Sequence, residues 1–198
     1  MTERAVRRNE TLRDAWFGAA NEILASDGYG ALKLAALCKK LGVTTGSFYH
    51  SFDNWQDFTD ALLANWLAER TDQTVVIARQ TEDPVERLKL LAQRSYELLH
   101  RTESAIRVWA GVDDKVAEVQ RKVDDGRYLV VYEAMEAIVG PEHAAAYSVW
   151  GLSTLIGFEM IADHHDRDKL LWSLESILAD AQRVARAEKR KAAATKKR

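Results

Sequence analysis

Cysteine is almost missing from this chain: its 198 residues include one, Cys38, which excludes an internal disulfide framework. Proline occurs twice and glycine ten times, so little interrupts helix. No stretch of alternating apolar and polar residues marks a strand, and no apolar run approaches the roughly 20 residues needed to cross a bilayer. The segment Met1 to Glu10 is too charged for a secretory signal peptide. What remains is an all-α, soluble, cytoplasmic protein without a membrane partner. Its 47% hydrophobic residues suffice for a core without covalent staples.

A marked excess of one charge is also missing, but only from the total. The formal net charge of −2 divides into +2 for residues 1–52, −11 for residues 53–182 and +7 for residues 183–198. An acidic middle repels phosphates, so a polyanionic partner is expected to meet the N-terminal region, with the basic end as a second candidate. Lys189-Arg190-Lys191 and Lys196-Lys197-Arg198 read either as a phosphate-seeking segment or as a solvated, disordered tail.

Apolar or small residues at Leu12, Ala15, Trp16, Ala19, Ala20, Ile23 and Leu24 repeat every three and four positions, the period of an amphipathic helix. Asp27-Gly28 punctuates its end. A short helix over residues 33–41 is predicted to bury Leu34, Leu37, Cys38 and Leu41. A third spans residues 45–51, with Thr44 placed to cap it through its side chain. Asp53 or Asn54 caps a fourth helix, residues 54–70, with Trp55, Phe58, Leu62, Leu63, Trp66 and Leu67 on its apolar face. Asp83-Pro84 opens another, followed by helices over residues 103–111, 114–139, 142–163 and 167–189.

Residues 33–52 have the parts of a helix-turn-helix: a short helix, a tight turn and a following helix whose start exposes small and polar groups. Gly42 admits a left-handed backbone, Val43 plugs the space between the helices, and Phe48 and Phe52 face inward. Thr45, Gly46, Ser47, Tyr49, His50 and Ser51 then face out, with hydroxyls and an imidazole for base edges or phosphates. The third helix lacks Arg and Lys, so readout through thymine methyls, hydroxyls and DNA shape is expected over bidentate guanine contacts.

The run Gly42-Val43-Thr44-Thr45-Gly46-Ser47-Phe48-Tyr49-His50-Ser51-Phe52, preceded by Leu37 and Leu41, resembles the signature of the tetracycline-repressor (TetR) family of transcriptional regulators. The resemblance implies that Tyr49 grips a phosphate, that Thr45, Gly46 and Ser47 meet bases, and that the acidic remainder binds a ligand and dimerises. Two positions depart from the family pattern. Leu32 and Lys33 stand where a Ser or Thr usually starts the second helix, and Trp55 stands where a Lys commonly starts the fourth. Lys33 would replace a hydroxyl with a charge; Trp55 would pack against Phe52 or stack near the DNA backbone.

The expected organisation is a helix-turn-helix domain over residues 1–53, a ligand-binding and dimerisation domain over residues 54–188, and a basic tail over residues 189–198. The DNA-binding set is Lys33, Thr44, Thr45, Gly46, Ser47, Tyr49, His50 and Ser51. Trp66, Tyr96, Trp109, Tyr128, Tyr132 and Trp150 are candidates to line an apolar effector pocket, their alternative role being plain core. Gly151 and Gly157, which permit close helix approach, and Leu170, Leu171, Leu174, Ile177 and Leu178, an apolar face, are candidates for a homodimer interface.

No metal site is expected. Asp163, His164, His165 and Asp166 diverge around a helix, and the single Glu97-x-x-His100 spacing lacks the second copy that a di-iron bundle needs. No catalytic constellation or cofactor motif stands out. The expected function is therefore that of a ligand-responsive regulator and not of an enzyme: a homodimer on a palindromic double-stranded operator, released as a repressor by a small apolar or aromatic effector.

Overall fold

A computed structural model describes residues 3–69, 73–161 and 166–195. Ten α-helices and no strands occur among them: α1 (Glu3–Asp27), α2 (Leu34–Leu41), α3 (Thr45–Tyr49), α4 (Trp55–Leu67), α5 (Gln73–Arg79), α6 (Pro84–Tyr96), α7 (His100–Ala110), α8 (Asp114–Val139), α9 (Pro141–Met160) and α10 (Arg167–Thr195). A 3-10 turn, Tyr29–Ala31, joins α1 to α2. No described helix is long and apolar enough to cross a membrane.

The fold divides into two compact units. The first comprises Met1–Leu67 with Leu99–Gln120, the second Ala68–Leu98 with Arg121–Arg198. A cut at residue 53, where the helix-turn-helix signature ends, thus differs from the grouping by packing, in which α4, α7 and the start of α8 join the first unit. Residue 70, the last of the predicted helix 54–70, lies with residues 71 and 72 outside the described residues. The helix α5 carried no strong periodic signal and was not expected.

In the first unit α1 packs on both α2 and α7. Trp16, Phe17, Ala20, Ile23 and Leu24 of α1 are buried there, whereas Leu12 is exposed despite its place in the apolar period. Trp66 and Trp109 belong to this core: Trp66 Nε1 donates to Glu103 Oε1 at 3.1 Å, and Trp109 stacks on Tyr29 at 4.9 Å. The indole N–H gives the buried Glu103 carboxylate a hydrogen bond that removal from water would otherwise cost it.

In the second unit α10 lies against α6 and α9, enclosing Leu88, Met135, Tyr147, Ile177 and Leu178 in one cluster and Leu155, Phe158 and Leu170 in another. Asp83 caps α6, its Oδ1 accepting from the backbone N–H of Val85 at 2.8 Å and of Glu86 at 3.0 Å, with Pro84 at the first helical position as the sequence suggested. The last helix continues to Thr195. Residues 189–195, expected as a disordered tail, are therefore helical, in keeping with the strong helix propensity of Ala, Lys and Arg; residues 196–198 lie outside the described residues.

Candidate nucleic-acid interface

Between α2 and α3 the chain must reverse within three residues, and Gly42 supplies the left-handed step with φ 67° and ψ 31°. Its N–H and that of Val43 reach back to the last turn of α2, the latter to the Cys38 carbonyl at 3.0 Å, closing the helix in the manner of a glycine C-cap. Val43 itself is 38% exposed, so it is not the buried plug that was expected; Leu37 of α2 and Phe48 of α3 are fully buried.

Phe48 is the hub of this unit. Its ring meets Trp16 edge-on at 5.4 Å, Phe52 at 5.3 Å and Phe58 at 5.6 Å. Phe52 lies beneath the Arg13 guanidinium at 4.7 Å, a cation–π contact that covers the outer side of the cluster. Aromatic packing from α1, α3 and α4 thus holds a helix of five residues that is far too short to be stable alone.

With Phe48 and Phe52 locked inward, Thr44, Thr45, Gly46, Tyr49 and His50 are exposed and Ser47 is half-buried. Tyr49 is 59% exposed. Lys33 is exposed at the N-cap of α2. Two expectations fail. Ser51 is buried, with its Oγ out of solvent, because it stands beside Phe52 where the chain turns from α3 toward α4. Thr44 occupies the N-cap of α3, but its hydroxyl makes no cap bond.

Gly46 has no intramolecular reason to be glycine: a Cβ there would meet only Thr44 Oγ1, at an ordinary 3.6 Å. In a helix this glycine costs about 1 kcal/mol relative to Ala. Asn54, of the two candidate caps, is the one that caps α4, its Oδ1 accepting from the Asp57 N–H at 3.0 Å. Trp55 is half-buried and stacks on Phe48 at 6.2 Å and Phe58 at 5.1 Å, so it is a core-flanking residue whose ring neighbours are these two and not Phe52.

The second unit holds a cavity of about 120 Å³. Its wall is aliphatic, with Leu88, Leu91, Val131, Met135, Leu155 and Leu174 among the lining residues. None of the six aromatic candidates lines it. Trp66 and Trp109 are core of the first unit; Tyr96 is partly exposed under Arg167 at 5.7 Å; Tyr128 and Tyr132 stack on each other at 6.0 Å along α8; Trp150 is exposed. Indole and phenol rings distribute between core and surface, and the void is left to branched aliphatic side chains.

The expected dimer surface is corrected in a similar way. Leu170, Ile177 and Leu178 are buried in the protomer's own core, while Gly151 and Leu174 line the cavity. Leu171 is half-buried and Gly157 exposed. The large apolar residues that α9 and α10 leave in solvent are others: Val149, Trp150, Met160 and Trp172, followed by Ile161. Among the described residues no group of three or more His, Cys, Asp or Glu is arranged to hold a metal; Asp163, His164 and His165 lie outside the described residues.

Residues 17–62 match the family model described as bacterial regulatory proteins, tetR family. Comparison with curated proteins finds no match. Among solved structures, a transcriptional regulator from Rhodococcus sp. Rha1 is 18% identical, covers 86% of this chain and 97% of its own, and superposes with a TM-score of 0.68. A TetR transcription regulator from Haloarcula marismortui is 17% identical, with 90% and 98% covered and a TM-score of 0.66. The transcriptional regulator FadR from Bacillus subtilis, in complex with stearoyl-CoA, is 15% identical, with 86% and 97% covered and a TM-score of 0.64. At these identities the likeness is one of fold.

Proposed function

We propose that this chain, whose residues 17–62 match the tetR-family model, is a transcriptional regulator that represses transcription as a homodimer on a two-fold operator and is released by a small apolar effector. The observation that carries the reading is the outer surface of α3. Its inner residues are fixed by aromatic packing, and its outer ones are small or hydroxylated: Thr45, Gly46, Ser47 and Tyr49. Such a surface fits a helix seated in the major groove, where phosphate contacts position the protein and hydroxyls and methyls read base edges.

Each residue has a distinct part in this proposal. Tyr49 donates its phenol to a phosphate. Thr45 and Ser47 address base edges or sugar, and Thr44 and His50 flank them. Gly46 exchanges helix stability for a close approach of the duplex, which is the use that its empty surroundings leave for it. Lys33 adds a charge at the start of α2. Ser51, being buried, is not part of the set.

Two recognition helices must lie one helical turn of DNA apart, about 34–36 Å, to engage both half-sites. We assign the dimer contact to α9 and α10, where Val149, Trp150, Met160 and Trp172 are each about half exposed or more. Gly157 and Leu171 lie on the same two helices.

The cavity of the second unit is the proposed effector site. Val130, Val131 and Met135 of α8 line it, and α8 begins in the first unit and ends in the second. A ligand that prefers one setting of α8 therefore biases which dimer conformation is populated. The complex of FadR with stearoyl-CoA supports the idea that a helical domain of this fold accommodates an apolar ligand.

Gel shifts with DNA from upstream of the protein's own gene test the reading. Wild type is expected to bind a fragment with salt-dependent affinity, and Tyr49→Phe to weaken it about tenfold, the equivalent of one hydrogen bond to a charged group. A protein that binds no such fragment at low salt, or that is indifferent to Tyr49→Phe combined with Ser47→Ala, is not this regulator.

A further inference from the structure

The side chains that wall the cavity of the second unit also set the chemistry of its occupant. We infer that it takes a compact, uncharged hydrocarbon of about six to eight carbon atoms, one saturated ring or its equivalent, with no hydrogen-bonding group inside the cavity. The inference rests on the reading of this cavity as the effector site and goes further by fixing the class and size of the ligand.

Among the described residues of the lining the polar ones are Thr74, Arg94, Ser95 and Arg127. Thr74 and Arg94 stand where the cavity borders a polar recess that shares them, and Arg94 is drawn to the recess side by Glu97, whose Oε2 accepts from its Nη1 at 3.3 Å. Ser95 Oγ donates its proton to the Ala92 carbonyl at 2.6 Å. Arg127 has an interaction partner of its own, and its Nη1 is closed off. The rest of the wall is aliphatic apart from the thioether of Met135, and no Phe, Tyr, Trp or His is among the described lining residues.

A wall of this kind offers dispersion contacts and little else. A hydroxyl placed against it gives up its bonds to water without replacing them, and a charge loses far more. Burial of one unpaired hydroxyl is enough to weaken binding by about tenfold or more. A hydrocarbon has no such loss and gains with every methylene removed from water.

The volume limits how much hydrocarbon enters. A dry aliphatic cavity of about 150 Å³ in another protein takes up benzene, and this one measures about 120 Å³, which is room for one ring and not for two. Gly151 of α9 belongs to the lining, and a Cβ added there would meet no atom within 4 Å. Its backbone has no positive φ that requires glycine, so a larger side chain at this position has room to occupy the void.

Thermal melts of the full-length protein, without DNA, in buffer saturated with cyclohexane or with decalin test the size. At saturation each hydrocarbon has the activity of its pure liquid, so differences in hydrophobicity cancel and the fit remains. Cyclohexane is expected to raise Tm by about 3–5 °C, as a free concentration about tenfold above Kd does for a chain of this size, and decalin to leave it unchanged. Isothermal titration tests the chemistry. Cyclohexane is expected to bind at least about tenfold more tightly than cyclohexanol, and cyclohexylamine and cyclohexanecarboxylate, both charged at neutral pH, not measurably. Gly151→Leu is expected to melt no lower than wild type, since leucine is the better helix former, and to lose the response to cyclohexane; Ala92→Leu fills the void from α6 with the same loss.

Cyclohexanol, the amine or the carboxylate binding as tightly as cyclohexane, an equal response to decalin, or a cyclohexane response that survives both variants overturns the proposal. So does the absence of any response to cyclohexane. Binding is read apart from DNA. Cyclohexane that binds but does not release DNA refutes the role of the cavity as effector site and leaves the ligand class standing, whereas release by a polar compound without cyclohexane binding does the reverse.

Discussion

Phe48 and Tyr49 are neighbours in sequence, and their rings stand perpendicular with centroids 5.4 Å apart, the first fully buried and the second 59% exposed. Successive helical residues diverge by about 100°, so one residue anchors α3 in the aromatic core while the next presents a phenol to the outside. The edge of that core steadies the exposed ring, which lowers the entropy lost when it meets a partner.

These two positions should separate folding from function. Phe48→Ala is expected to lower stability by about 3–5 kcal/mol, as loss of a buried phenylalanine does. Tyr49→Ala should leave the urea midpoint within about 0.5 kcal/mol while weakening DNA binding. Equal destabilisation by the two would mean that Tyr49 is a packing residue.

The stacking of Trp55 on Phe48 and Phe58 gives Trp55→Lys two opposed effects. Stability should fall by about 1 kcal/mol, the worth of an aromatic pair. Affinity for DNA at low salt should rise with the added charge. Urea denaturation and gel shifts on the same variant read both, and an unchanged midpoint would show that the ring contributes nothing to the fold.

Burial and then the hydrogen bond from the Tyr147 hydroxyl to Asp180 Oδ2, at 2.6 Å, push the phenol up to about 12. The protonated form is favoured in the folded state, so the stabilisation is complete below the ordinary tyrosine value of about 10 and is lost between pH 10 and 12. Tyr147→Phe should cost about 1 kcal/mol below pH 10, and its deficit should shrink above it. In an ultraviolet titration of the wild type, one of the six tyrosines should ionise near pH 12. A deficit that persists unchanged at pH 12 would contradict this.

The end of α10 is a basic, exposed helix over Lys189, Arg190 and Lys191. Truncation after Glu188 is expected to reduce non-specific DNA affinity and the slope of its salt dependence without altering sequence preference. Competition assays at several salt concentrations measure each quantity, and a shifted preferred site would assign the segment to base readout instead.

Trp172 is 68% exposed on the proposed dimer surface. Trp172→Glu is expected to turn the dimer into a monomer in sedimentation experiments, with helicity retained, and to reduce operator affinity by more than Tyr49→Phe does, because both half-sites are then bound independently. A dimer that persists would move the interface elsewhere.

The sequence by itself determined those features that depend on neighbours within one or two turns. Gly42 as the left-handed hinge, Asp83-Pro84 as a helix start, and the division of α3 into inward Phe48 and outward Thr45, Gly46 and Tyr49 all follow from backbone sterics and the helical period. Only the tertiary structure decided what covers each apolar face. The leucine stripe of α10 resembles a dimer seam but is covered by α6 and α9, leaving Trp150 and Trp172 in solvent. Aromatics that read as a pocket belong to the core of the first unit or to the surface, and the cavity is aliphatic. Ser51 is on the polar side of the sequence pattern, yet it is buried where the chain turns after α3. Periodicity tells which residues share a face; the identity of the neighbour on that face comes from long-range packing, which no local pattern encodes.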